Sequence, residues 1–307
     1  MEGVLTGLAL MWIVIGVGMV IGRLGILGDY AQDVLTRFVY WIASPALLFS
    51  TISQTDIRAI VGPALGVEAI SAVTAALTYV LISVVFLRGS RVETTVGAMT
   101  SSLSNAAYLG IPLSTYILGS PTHVVPVLIF QLGLLTPAFF VLTDLAAGRS
   151  EASAVNAVRL IFTNPMLIAS MLGLLVSLSG VGVPELVTGP VEVLAGAAVP
   201  CILVSFGISL LETGVKGFRD HAPEITTSTV IKLIAQPLFA YLAGRFVFGL
   251  DGFELFAVTS MGGLPTAQNA YVAAFRAGAG NELARGTVVA TTVFVTPTLL
   301  GIAALLS

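Results

Sequence analysis

Long apolar runs separated by short polar joints make up almost the whole chain. Runs long enough to cross a bilayer, about 20 residues each, fall at 4–22, 38–54, 60–87, 94–118, 123–147, 160–180, 190–211, 225–248, 254–275 and 286–306. The pattern predicts an all-α membrane protein with ten transmembrane helices. The joints are short, so little chain remains for a soluble domain, and function is expected inside the membrane. Because polar residues collect in the joints, those within the runs stand out.

Two runs carry conspicuous interruptions. The fourth contains SNAAYLGIPL, Ser104 to Leu113, and the ninth contains TSMGGLPTAQNAYVAAF, Thr259 to Phe275. Proline lacks a backbone donor and pushes the residue before it out of the helical conformation, which points to Pro112 and Pro265. Gly110 and Gly263 beside them permit unusual dihedrals and close backbone approach. Both helices are therefore expected to stop and restart at the Gly-x-Pro strings. The alternative is a proline kink in an otherwise intact helix. A true break is tolerated in hydrocarbon only where protein, water or a ligand satisfies the freed backbone. Exposed helix ends carry about half an elementary charge, so the breaks are read as an anion site. Ser104, Asn105, Thr266, Gln268 and Asn269 add hydroxyls and amides beside it.

Three strings recur in order between the halves. PALLFS at Pro45–Ser50 resembles PCILVS at Pro200–Ser205, GIP at Gly110–Pro112 resembles GLP at Gly263–Pro265, and LTPA at Leu135–Ala138 resembles VTPT at Val295–Thr298, at offsets of 155, 153 and 160 residues. This divides the chain into a first five-helix repeat at 1–147, a cytoplasmic linker at 148–157 and a second repeat at 158–307. Five is odd, so the second repeat is inverted. Inverted repeats with interrupted helices at matching places point to a secondary transporter whose site lies near the bilayer midplane.

Composition agrees: 56% of the 307 residues are hydrophobic and 9% charged, with a mean hydropathy of +1.01, where soluble domains are about 25% charged. The basic residues predict orientation. With the amino terminus outside, cytoplasmic joints hold Arg23, Arg37, Arg88, Arg91, Arg149, Arg159, Lys216, Arg219, Arg276 and Arg285, and the outer side holds Arg58 and Arg245. Both termini are thus expected to be extracytoplasmic. The amino-terminal run lacks the basic flank of a cleaved signal peptide and is kept in the mature fold. One cysteine, Cys201, excludes an intrachain disulfide, and no basic cluster suits nucleic acid.

Lys232 and Glu68 are ionisable residues away from run ends, and charges at such positions are functional candidates by default. Lys232 can attract a carboxylate, mimic a bound cation beside the interruption, or snorkel to the surface. Glu68 is a candidate carrier of a coupling proton or an ordinary residue at a wet helix end. The two are expected at different depths and are not paired. Nothing suggests an enzyme: the two histidines, His123 and His221, fall in or near opposite joints, and no metal-ligand spacing appears.

The ten-run layout, the string Asn105-x-x-x-x-Gly110-Ile111-Pro112, the ninth-run LPTAQNAYVAA and Lys232-x-x-x-x-Pro237 together resemble the auxin efflux carrier family over essentially the whole chain. The resemblance implies the fold of the bile-acid sodium symporters, with two inverted five-helix repeats and broken crossover helices four and nine. It implies a scaffold of spans 1, 2, 6 and 7, which also offers a homodimer contact, and a transport domain of spans 3–5 and 8–10. It further implies a carrier of a small organic anion working by an elevator-like motion, with Asn105 matching an asparagine that holds the substrate carboxylate. The short central linker suits a compact prokaryotic-type member of the plasma (inner) membrane. The acidic ninth-span motif of the sodium-coupled branch is missing from LPTAQNAYV, so no sodium site carries over. No cofactor is implied, and the coupling ion stays open between proton, sodium and none. Partners are then the organic anion and membrane lipid. An anion channel or a non-enzymatic membrane receptor is the rival reading.

Overall fold

A computed structural model of the chain describes residues 2–28, 30–54, 62–148, 158–159, 162–212 and 220–306. The expected linker beyond Gly148, together with Arg58, Arg149, Lys216 and Arg219, lies outside the described residues, as does the side chain of Arg276. Among the described residues the regular structure is helical. Helices α2 (Ala31–Ser53), α3 (Pro63–Leu87), α6 (Pro121–Ala146), α8 (Glu185–Ile208), α9 (Ala222–Val247) and α12 (Asn281–Leu306) are long and apolar enough to cross a membrane. Helix α1 (Glu2–Leu24) contains a shorter apolar stretch at Ala9–Leu24, and α7 (Pro165–Ser179) is a second. Two further stretches are interrupted, α4 (Arg91–Ser102) before α5 (Ile111–Ile117), and α10 (Gly252–Gly262) before α11 (Asn269–Ala277).

Local chemistry sets several boundaries. Ser90 caps α4: its hydroxyl accepts from the Glu93 N–H, and the Glu93 carboxylate accepts from the Ser90 N–H. The Ser90 backbone and hydroxyl bonds hold the Glu93 carboxyl below its usual range, as expected of a capping box. Asn164 caps α7 by accepting from the N–H groups of Met166 and Leu167, and Pro165 fills the first turn, where its missing donor costs nothing.

Four prolines leave a different mark. Four of the π turns among the described residues lie at Val39–Ala43, Ala106–Gly110, Gln131–Leu135 and Ile231–Ala235, and two more, Ser83–Leu87 and Ala243–Val247, close their helices without a proline. Each of the first four ends two residues before a proline, namely Pro45, Pro112, Pro137 and Pro237. A proline ring collides with the carbonyl four residues back. In all four cases that residue is the middle of the π turn, so the extra residue per turn relieves the collision and the helix continues. Pro190 and Pro297 lie inside helices without such widening.

Contacts divide the chain into two compact units. The first comprises Met1–Gly62, Ala107–Ile129 and Phe162–Gly214. Its helices approach through glycine: a Cβ on Gly207 of α8 would strike the Ile15 carbonyl of α1, and one on Gly18 would strike the Val204 carbonyl. Gly173 of α7 lies equally close to Phe49 and Ile52 of α2. Between membrane helices, where water supplies no hydrophobic drive, such small-residue contacts carry the packing. Thr36 and Ser205 add a hydroxyl pair at 2.9 Å.

The second unit comprises Pro63–Ala106, Phe130–Ile161 and Val215–Ser307. Its largest apolar cluster gathers Ala72, Ala75 and Tyr79 of α3 with Ala98 and Met99 of α4, Leu103, Phe139 of α6 and Ala270 and Ala273 of α11. The Tyr79 ring lies over Gly97, whose missing side chain makes the room. On the opposite face of α3, Leu77, Leu81 and Val84 are exposed. A helix apolar on every side suits one face in protein and the other in lipid.

The glycine contacts make a prediction whose sign opposes helix propensity. Glycine to alanine inside a helix ordinarily gains about 1 kcal/mol. Gly207→Ala should instead lower stability by about 1–3 kcal/mol, because the new methyl meets backbone that cannot step aside. Gly301→Ala, which meets nothing within 4 Å, should be neutral or stabilising. Unfolding midpoints in detergent should fall for Gly207→Ala and stay level or rise for Gly301→Ala.

Candidate functional site

Helix α4 stops at Ser102, and Leu103 turns to an extended conformation with φ −79° and ψ 120°. Helix α10 stops at Gly262, and residues 263–268 are likewise non-helical. The two interruptions run antiparallel and pair at Ser104 and Thr266. The Asn105 N–H donates to the Pro265 carbonyl at 2.7 Å, and the Ala267 N–H donates to the Leu103 carbonyl at 3.0 Å. The freed groups nearby find partners too. The Ser104 N–H donates to Gln131 Oε1, and the Thr266 N–H donates to Thr291 Oγ1. The Thr266 hydroxyl donates to the Thr100 carbonyl at 2.7 Å.

This places the first interruption differently from the expectation. It lies at Leu103–Asn105, upstream of Gly110 and Pro112. Gly110 is ordinary right-handed helix with φ −65° and ψ −43°, and Pro112 sits in the first turn of α5. Pro112 widens the preceding turn without ending the helix. The stop comes from Ser102, Ser104 and Asn105, residue types that compete for backbone hydrogen bonds, and from the partner strand that receives the released groups. Pro265 does lie inside its interruption, as expected. The GIP and GLP strings therefore do not occupy equivalent places.

Around the crossing, polar side chains form a connected chain. Glu68 Oε1 accepts from Gln131 Nε2 at 3.1 Å, and Gln131 Oε1 accepts from the Ser104 N–H at 3.2 Å. Ser104 Oγ accepts from the Lys232 ammonium at 2.8 Å. Lys232 donates also to Gln236 Oε1 and, at 3.5 Å, to the Gly262 carbonyl. Gln236 Nε2 donates to the Ser102 carbonyl at 3.3 Å. Lys232 and Gln236 are 0% exposed and Glu68 is 3% exposed. Burial to that degree rules out a snorkelling lysine. The sequence offers no reason to pair Glu68 with Lys232; the structure joins them through Gln131 and Ser104. Ionisable groups so buried are tolerable only when their donors and acceptors are met.

The π turns explain how apolar helices present these groups. Gln131 opens one widened turn, Lys232 lies within another, and Gln236 follows it. A π turn rotates the side chains it carries relative to a regular helix, and such turns are frequent at functional sites. A hydroxyl cluster adjoins the chain, with Ser228 Oγ 2.7 Å from Thr100 Oγ1 and 2.9 Å from Ser101 Oγ.

Of the residues expected at the site, Ser104, Asn105, Pro265 and Thr266 meet directly at the crossing, with Gly263 just before it. Asn105 is buried, whereas Gln268 and Asn269 are exposed at the start of α11. Gly110 and Pro112 belong to the first unit. Sequence reading missed Gln131, Gln236 and Thr291. A usable signal was present: Asn105-Ala106 and Asn269-Ala270, each followed by tyrosine within two residues, mark where the helices resume, at an offset of 164 residues.

A family profile described as membrane transport protein matches residues 4–156 and 150–303. A protein of Rhizobium meliloti (strain 1021), named "Putative malonate transporter", is 24% identical over 305 residues, covering 97% of this chain and 94% of that one. A protein of Methanothermobacter thermautotrophicus, named "Uncharacterized transporter", is 27% identical over 267 residues, covering 84% and 83%. With the family profile covering both halves and six apolar helices of spanning length among the described residues, the chain belongs to the membrane transport protein family, that of the auxin efflux carriers, and is a membrane transporter rather than an enzyme.

Proposed function

We propose that this transporter is a secondary carrier of a small organic anion, held beside the crossing at Leu103–Asn105 and Leu264–Thr266. The crossing carries the proposal: it suspends two helices inside apolar surroundings and sets amide and hydroxyl groups where they resume. Asn105 stands at the resumption of the first helix and Gln268 and Asn269 at that of the second. These amides, with the positive end of α11, are the groups that suit a carboxylate. The donors of the crossing strands themselves are engaged within the protein. The relative named for malonate makes short carboxylates and dicarboxylates the first substrates to try.

The same reading takes the chain as ten spans in two inverted five-helix repeats, with both ends outside the plasma membrane. Spans 3–5 and 8–10 then move in an elevator-like manner and spans 1, 2, 6 and 7 act as the scaffold. Support comes from the grouping of α3, α4 and α9–α12 in one unit and of α1, α2, α7 and α8 in the other, although α5 and the start of α6 group with α1, α2, α7 and α8. Glu68 is the proposed carrier of any coupling proton, being buried and hydrogen-bonded to Gln131 at one end of the polar chain.

Proteoliposomes containing the full chain should show saturable uptake of at least one short carboxylate. Asn105→Ala should weaken its binding about 10- to 100-fold, the value of one hydrogen bond to a charged group, with folding intact by thermal unfolding. Undiminished binding moves the site away from the crossing, and the absence of saturable flux for every anion in the panel removes the carrier reading.

An imposed inward proton gradient should accelerate uptake by the unmodified protein and leave Glu68→Gln unaffected. Equal acceleration of both would end the role of Glu68 as proton carrier.

A further inference from the structure

The surroundings of Lys232 have the composition of a cation site. The ammonium has three donors, and three oxygens receive them: the Ser104 hydroxyl, the Gln236 amide oxygen and the Gly262 main-chain carbonyl. None of the three carries a formal charge. Gly262 is the last residue of α10, so its carbonyl stands at the negative end of a helix dipole.

Each oxygen is fixed by something other than the lysine. Gln236 is oriented by its Nε2 bond to the Ser102 carbonyl. Ser104 is pinned through its backbone N–H to Gln131 and by its pairing with Thr266. Gly262 is closely packed, since a Cβ there would meet Ala240 and Pro237. Hydroxyl and carbonyl oxygens held in place without the ion are what replaces the hydration shell of a hard cation. Glu68 lies one amide beyond Ser104, hydrogen-bonded to Gln131.

We propose that the Lys232 ammonium is a covalently attached occupant of a monovalent-cation site formed by Ser104, Gln236 and Gly262, which clamps the crossing without a free ion. Removing the ammonium without filling its space exposes a site for sodium, potassium or a small alkylammonium ion. In the carrier proposed above, a crossing clamped in this way needs no bound sodium to assemble. The site itself rests only on the geometry around Lys232.

The test is thermal unfolding of the full chain in detergent, with sodium, potassium, methylammonium or choline chloride at equal ionic strength. The unmodified protein should unfold at one temperature in all four salts. Lys232→Ala should unfold lower in choline and recover saturably in at least one small cation. The expected recovery is about 2–4 °C at a concentration tenfold above the dissociation constant. Lys232→Met, which fills the space without charge, should unfold at one temperature in every salt.

The proposal is overturned if Lys232→Ala ignores the cation, if Lys232→Met responds as Lys232→Ala does, or if the unmodified protein shows the same dependence. It is also overturned if Lys232→Ala cannot be recovered folded even when extracted in methylammonium. The readout is unfolding, so a negative result leaves the transport reading standing, and failure to find flux leaves this site standing.

Discussion

A backbone amide released from a helix in apolar surroundings must find another partner, and this requirement governs the second unit. Two helices are interrupted there, and each interruption supplies what the other lacks. Leu103 and Pro265 offer carbonyls to Ala267 and Asn105, and Gln131 and Thr291 take the two N–H groups that the pairing leaves over. Neither interruption could persist alone, because several kcal/mol attach to each unsatisfied group. The crossing is therefore a single cooperative object contributed by chain segments some 160 residues apart, and the surrounding helices are placed so as to hold it.

The buried charges obey the same constraint. A lysine with no exposed surface is tolerable because every one of its protons has an acceptor. The acceptors also belong to the crossing: Ser104 lies in one strand and Gly262 ends the helix that precedes the other. The ammonium therefore ties together groups the backbone has already brought close, and Glu68 joins the same network through Gln131. Removing one member of such a network leaves an uncompensated partner, with costs of about 3–5 kcal/mol for a buried pair. Charge and backbone satisfaction are thereby coupled, and a movement that separates the strands must also rearrange the lysine.

Much of this was legible in the residues, and the gaps have identifiable causes. Helical class and membrane character follow from runs of apolar residues too long for soluble cores. Interruptions in the fourth and ninth runs were also legible, because Asn, Gly and Pro are conspicuous there. The first lies upstream of the expected place because Ser102, Ser104 and Asn105, not Pro112, end the helix. Proline acts locally, by a clash four residues back that one π turn absorbs. Serine and asparagine act by offering alternatives, and these become decisive only when a distant strand accepts the released groups. Gln131 and Gln236 were invisible for a related reason, since a lone amide in an apolar run reads as an ordinary interhelical contact until its partner is known. The pairing of Glu68 with Lys232 was likewise out of reach, because it passes through two side chains that sequence spacing does not connect.

The prolines then take a role that neither a kink nor a break describes. A regular helix repeats its side-chain directions every 3.6 residues, so a single polar group added to an apolar helix points wherever that period sends it. Widening one turn by a residue re-aims a few side chains while the segments before and after continue as helix. Pro137 and Pro237 impose such turns where Gln131 and Lys232 must face the crossing. A break would have released further amides to be satisfied. Two positions where a ring excludes a carbonyl thus set the direction of the amide and the ammonium on which the buried polar chain depends.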